Sequence, residues 1–335
     1  MKNRYLRYED GLWPNLIALA YVFLGYFGGF ALILFAPWWV NAAGVLLLGH
    51  SMAIAAYLIH ECAHNTIFAR AGANERLGRM LNWITGGCYG DYGALQHKHF
   101  RHHVDKADVV AFDYRSELKR HPILLRLMQV LEWVYIPALD IMMHALQILL
   151  PIAREHSRHN RRRVLTAALI RGMLFVSLAW YSPKAALLYV LAYFLMMHVL
   201  RFMDAFQHTY EIFETLEQER GAEARQFDRQ YEHENTYSNL ISQKFPWLNL
   251  LVLNFCYHNA HHFKQAVPWH RLPALHRELY GDDDSQLIPF RNQLWSYHRH
   301  RVARITNDFD ERPAQGEGKG RDFVGVDGVN FLTAF

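Results

Sequence analysis

Twenty consecutive residues, LIALAYVFLGYFGGFALILF from Leu16 to Phe35, carry no charge. As a helix such a run is about 30 Å long, the thickness of a bilayer's hydrocarbon core. A helix is also one of the few structures that satisfies its own backbone groups in lipid. Trp13, Trp38 and Trp39 flank the run as interfacial anchors do. After the tight turn APWW, a second run from Val40 to Ile59 returns, tolerating Asn41 and His50. A third, Val164 to Tyr181, contains Arg171, and a fourth extends from Ala185 to Leu200. The apolar stretch Ile123 to Ile152 holds Arg126, Glu132 and Asp140. Each such charge costs about 2.5–3.5 kcal/mol at a bilayer centre, so interfacial helices broken near Pro137 are expected there.

The expected fold class is therefore an all-α integral membrane protein. Four transmembrane helices, at 16–35, 40–59, 164–181 and 185–200, carry a helical cap made of 60–163 and 201–300 in one domain of residues 1–300. Residues 301–335 are rich in Gly and charge and read as a flexible tail, although FVGVDGVNFLTAF is more apolar than a free tail should be. A net charge of +4 does not call for nucleic acid, and no helix-turn-helix or RNA-binding signature is present, so no nucleic-acid partner is expected. Cys62, Cys88 and Cys256 form no C-x-x-C pair, which fits a reducing compartment without a disulfide framework. No cleavable signal peptide is expected. Lys and Arg are nearly absent from the turns after the first and third runs. The positive-inside rule then puts both termini and the polar segments on the cytoplasmic side.

Histidine, 21 residues in all, is concentrated on that side. HECAH at 60–64 places His60 and His64 one helical turn apart, about 40° around the axis. HFRHH puts His99, His102 and His103 within an arc of about 100°, and HNAHH does the same for His258, His261 and His262. RFMDAFQH reads as a continuation of the fourth run, with Asp204 and His208 as a further i, i+4 pair. One metal is saturated by four to six ligands, so nine imidazoles and a carboxylate imply two metals with open positions. Fe, Zn, Cu and Ni all suit such donors. Asp91, Asp105, Glu61 and Glu211 are candidates to orient imidazole N–H groups. His50 reads as a hydrogen-bonded core residue, and His97 as facing away or supporting a ligand. His144, His198 and His233 read as structural. His121, His156, His159, His270, His276, His298 and His300 read as surface residues.

The boxes HECAHN, HFRHH and HNAHH, in that order, with HHFKQAVPWHRLP continuing the third, resemble the membrane fatty acid desaturase superfamily over roughly residues 15–280. The resemblance implies a non-haem diiron centre, two Fe ions held by His60, His64, His99, His102, His103, His208, His258, His261 and His262, with O2 as co-substrate. In some relatives an asparagine four residues before the extra histidine holds a metal-bound water. Asp204 stands in that place here and is the candidate catalytic residue. The implied activity is oxidation of an unactivated C–H bond in a fatty acid or acyl thioester. Desaturation ranks first, followed by hydroxylation and oxidative decarboxylation to a terminal alkene. Lys98, Arg101, Arg201 and the run RHNRRR at 158–163 are candidates for holding a carboxylate, CoA or carrier phosphate, with anionic lipid as the competing partner of the run. An external electron donor of ferredoxin, rubredoxin or cytochrome b5 type and its reductase are implied partners, with the bilayer itself. A bacterial inner membrane is favoured over endoplasmic reticulum. A metal transporter or metal-binding protein is the alternative of a different class, but transporters place ligands near the membrane midplane, where only His50 lies.

Overall fold

The computed structural model of the chain describes residues 5–153, 158–210, 213–217, 228–306, 325 and 332. Helices dominate: α1 (Leu12–Phe35), α2 (Trp38–Ala63), α3 (Ala71–Thr85), α4 (Tyr92–Asp105), α5 (Tyr114–Arg120), α6 (Pro122–Trp133) and α7 (Ala138–Ala153). They are followed by α8 (Arg161–Tyr181), α9 (Pro183–Asp204), α10 (Arg229–Glu234), α11 (His258–Phe263), α12 (Leu272–Tyr280) and α13 (Phe290–Arg299). Strands β1 (Asp108–Val110) and β2 (Phe213–Thr215) pair in parallel, with Asp108 opposite Phe213. Four helical stretches are long and apolar enough to cross a membrane: Glu9–Phe35, which includes α1, and α2, α8 and α9. They are the four runs the sequence predicts. The chain divides into two compact units. Unit 1 holds Met1–Leu95, Asp140–Leu200 and Leu332–Phe335; unit 2 holds Gln96–Leu139 and Arg201–Phe331.

In unit 1, α2 is the central helix, and every residue from Ser51 to Ala63 is buried. Its approach to α9 is close enough that a Cβ on Gly49 would sit 2.6 Å from the Ala192 carbonyl oxygen. Small residues at such crossings let membrane helices pack backbone to backbone. The polar residues of the second run have local work. Buried Asn41 donates its side-chain amide at the end of α1 to the carbonyls of Leu32 (2.8 Å), which also accepts from the Ala36 amide, and Ala36 (3.2 Å). His50 Nδ1 and the Tyr21 hydroxyl are 2.5 Å apart, as the core reading of this histidine expects. In contrast to α2, α8 is exposed on most faces, with Trp180 91% accessible near its end, as a lipid-facing helix would be.

Unit 2 contains the helix break expected near Pro137. Helix α6 stops at Trp133, Tyr135 takes φ 62°, and the chain resumes at Ala138. Glu132 is buried beside this break, where its carboxylate accepts from Arg201 Nη1 at 2.7 Å and from the Leu139 amide at 3.2 Å. Arg101 on α4 is likewise engaged, donating to Asp105 and Glu214 at 2.8 Å each. Arg101 and Arg201, two of the cations that the sequence offered to a substrate anion, are thus neutralised within the unit. Most of the tail at 301–335 lies outside the described residues. Of its described part, Arg304 is buried and donates to the Ser296 and Tyr297 carbonyls, while Leu332, in unit 1, is buried and accepts from Gln147 at 3.0 Å.

Glu132→Gln leaves the Arg201 charge buried without its counter-charge and is expected to cost about 3–5 kcal/mol. Thermal unfolding in detergent reads this as a lowered midpoint, and adding Arg201→Met should recover much of the loss. An unchanged midpoint for Glu132→Gln would refute the importance of the pair.

Candidate metal centre

Four histidines of unit 2 bring ring nitrogens together. Helix α4 presents His102, the short helix α11 presents His258 and His262, and the fourth is His208. His102 Nε2 lies 3.0 Å from His208 Nε2, and His258 Nε2 lies 2.7 Å from the same atom. One ring nitrogen from each of the four falls within 4.8 Å of every other. A second gathering in the unit joins His99, His103 and His261. His103 Nε2 is 3.0 Å from His99 Nε2 and 3.2 Å from His261 Nε2. In unit 1, His60 lies in the last turn of α2 and His64 caps it, their ring centroids 4.7 Å apart.

The outer nitrogens fix how these rings present themselves. His102 Nδ1 is 2.8 Å from the Ala107 carbonyl oxygen, which can only accept. Its proton therefore sits on Nδ1 and its lone pair on Nε2. His262 Nδ1 faces Glu232 Oε1 at 3.0 Å on α10, a helix capped by Asp228 accepting from the Tyr231 amide. His262 Nε2 is buried with no hydrogen-bond partner among the described residues. His208 Nδ1 is 3.4 Å from Thr236 Oγ1, and Tyr210 stacks on the ring at 4.3 Å. Burial and the neighbouring imidazoles hold His208 and His262 well below the usual histidine pKa, so both are neutral at pH 7. Neutral rings with lone pairs pointed at one another repel unless a cation stands between them. Imidazole nitrogens with a carboxylate behind one of them match the donor preference of Fe, Zn, Cu or Ni. The residues present thus fit a transition-metal site.

The structure departs from the sequence reading at His208. Helix α9 ends at Asp204, and the chain turns before reaching it, so the two are not an i, i+4 helical pair. Two interactions prevail over helix continuation. Phe206 is fully buried with Ala205, Tyr237 and Ile288. The segment around His208 also pairs with residues 235–237, through Thr209 N–H to Asn235 O (3.0 Å) and Tyr237 N–H to Gln207 O (2.8 Å). Asp204 is half-buried and belongs to none of the ligating groups among the described residues. Its charge acts on buried Lys98, whose ammonium burial pushes down to about 7 while Asp204 opposes the shift.

The outer carboxylates sort unevenly. Glu61 Oε1 is 3.6 Å from His60 Nδ1, and its other oxygen accepts from Thr66 Oγ1 at 2.6 Å. Asp91 accepts from the Ala94 amide at the start of α4, and Asp105 receives Arg101. Glu211 and His156 lie outside the described residues. Glu232 escaped the sequence reading because no spacing ties it to a histidine box. His276, read as a surface residue, is instead buried, with Nδ1 3.3 Å from Asn259 Oδ1 of α11. His97, His121, His159 and His298 are exposed as expected.

Residues 36–293 match a family model described as fatty acid desaturase. No curated protein matches the chain.

Glu232→Gln removes the charge that orients His262 and is expected to weaken metal retention about 10- to 100-fold in competition with a chelator. Retention equal to that of the unsubstituted protein would show that the carboxylate does not orient the ring. A second expectation concerns the metal-free protein between pH 7 and 5.5. There the unfolded chain protonates His208 and His262 near their ordinary pKa of about 6.5, and the folded chain does not. Its melting temperature should fall as pH is lowered through this window. A flat profile would contradict neutral, buried imidazoles.

Proposed function

The chain belongs to the fatty acid desaturase family, and from that premise we propose that it is an O2-dependent oxidoreductase acting on an unactivated C–H bond of a fatty acid or acyl thioester, with desaturation as its reaction. The observation that carries the reading is the convergence of buried, neutral imidazoles backed by Ala107 and Glu232. His102, His208, His258 and His262 would hold one iron. His99, His103 and His261 would contribute to holding the other, for which the family resemblance adds His60 and His64 as ligands. Bound there, the iron pair supplies the oxidising power that couples O2 reduction to removal of hydrogen from the alkyl chain.

The chain's own residues contribute position and a dry environment. The Ala107 carbonyl and Glu232 keep the His102 and His262 rings turned so that Nε2 points inward. Burial of His208, His258, His261 and His262 keeps water from the inward nitrogens. Asp204 places negative charge next to Lys98, and we assign it a directing role in how the oxidised carbon resolves, whether by alkene formation, hydroxylation or loss of CO2. Forming one C=C bond while reducing O2 to two waters takes four electrons. Two come from the substrate and two from a donor of ferredoxin, rubredoxin or cytochrome b5 type with its reductase. The Lys and Arg distribution favours termini and site on the cytoplasmic side of a bacterial inner membrane.

The test is turnover with a matched donor, reading products from free acids and thioesters of several lengths by mass spectrometry. Olefinic product is expected, and His261→Ala should abolish it together with the bound iron; unchanged turnover in that variant defeats the assignment. Asp204→Asn should redistribute product among alkene, alcohol and chain-shortened alkene while total turnover persists. An identical product ratio would remove Asp204 from the mechanism.

A further inference from the structure

Arg171 is a charge that the metal centre does not use. It stands about 15 Å along α8 from Arg161, near the middle of a helix fit to span a membrane. Its Nη1 donates to the Trp83 carbonyl at 2.6 Å, and no carboxylate pairs with it among the described residues. Its other neighbours are Tyr189, Cys88, Tyr193 and Tyr89, of which Cys88 and Tyr89 hydrogen-bond with it and none is a carboxylate. A guanidinium offers five N–H donors in a fork suited to a carboxylate or phosphate. A charge at this depth in a bilayer is expensive without a counter-ion.

The guanidinium lines a half-open groove of about 620 Å³ whose described lining residues all belong to unit 1. Its walls are apolar, among them Phe30, Ile148, Phe175 and Leu178, with Phe27 and Leu174 at the rim 63% and 65% exposed. Tyr26 and Tyr189 join hydroxyls across it at 3.2 Å. Gly172 supplies an independent observation. A mid-helix glycine costs about 1 kcal/mol relative to alanine and usually marks a close approach. Here a Cβ would meet nothing within 4 Å, and the residue lines the cavity. The missing side chain leaves room that no described residue takes up.

We propose that this groove binds one long-chain carboxylate, a single-chain lipid anion whose head pairs with Arg171 and whose tail lies along the aromatic wall. The volume falls in the range of single small-molecule pockets, which suits one chain rather than two. Depth separates carboxylate from phosphate. A carboxyl group enters hydrocarbon as the neutral acid and ionises against the guanidinium, whereas a phosphodiester must carry its charge inward. The site does not rest on the metal reading, since each of its residues lies in unit 1.

Trp83 lines the groove and contacts Arg171 through its backbone, so its indole is a reporter. The full chain in nanodiscs is titrated at pH 8 with dibromostearate, and the Trp83 contribution is taken as the difference from Trp83→Phe. Saturable quenching is expected, with dibromostearate methyl ester and the Arg171→Gln variant each weaker by about tenfold or more. Arg171→Lys should fall between. Gly172→Leu keeps the charge, adds its side chain to open space and should weaken binding comparably, which decides the matter if Arg171→Gln fails to fold. Equal quenching by acid and ester, or an undisturbed Arg171→Gln titration, would overturn the proposal. So would saturable quenching by brominated phosphatidylglycerol in place of the acid.

Discussion

The central constraint on unit 2 is a shortage of protons. His102 and His258 bring their Nε2 atoms to 3.0 and 2.7 Å of His208 Nε2 in a buried space, and His102 has already placed its proton on the Ala107 side. Burial keeps His208 and His262 neutral, so the rings cannot resolve the crowding by becoming imidazolium. An Nε2–H tautomer of one ring satisfies one contact, whereas a cation would satisfy all the inward nitrogens at once. Much of the surrounding structure holds the rings to this arrangement. Asn239 ties to the Met203 carbonyl, Ser238 and His276 fix Asn259 on α11, and Glu232 sets His262.

The parts of this account legible in the sequence are those written in local periodicity. Four apolar runs of spanning length became four helices, and the HFRHH and HNAHH spacings became rings on one face of α4 and α11. What the sequence concealed depends on contacts between distant segments. His208 reaches the centre by a bridge to Thr236 after its helix has ended, because burying Phe206 outweighs another helical turn. Glu232 sits on a six-residue polar helix with no apolar stripe, and only the fold brings it to His262. His276 looks like any surface histidine until α12 lays it against α11. Neighbour identity, not composition, decides each of these.

Charge shows the same division. Arg101 and Arg201 sit near histidine boxes in sequence, yet both are consumed by acidic partners inside unit 2. In unit 1, Arg163 donates to the Cys88 and Gly90 carbonyls, whereas Arg171, hydrogen-bonded to the Trp83 carbonyl, Tyr89 and Cys88, has no carboxylate partner among the described residues and lines the groove. A long-chain anion held there would wait in the phase from which a lipid-modifying enzyme draws its material.

The account stands or falls on a pair of irons held by nitrogen. Elemental analysis of full-length protein purified without chelator, combined with X-ray absorption at the iron edge, measures this directly. The prediction is two irons per chain with a first shell dominated by imidazole. One ion per chain, or zinc in place of iron in protein that still turns over, would contradict it.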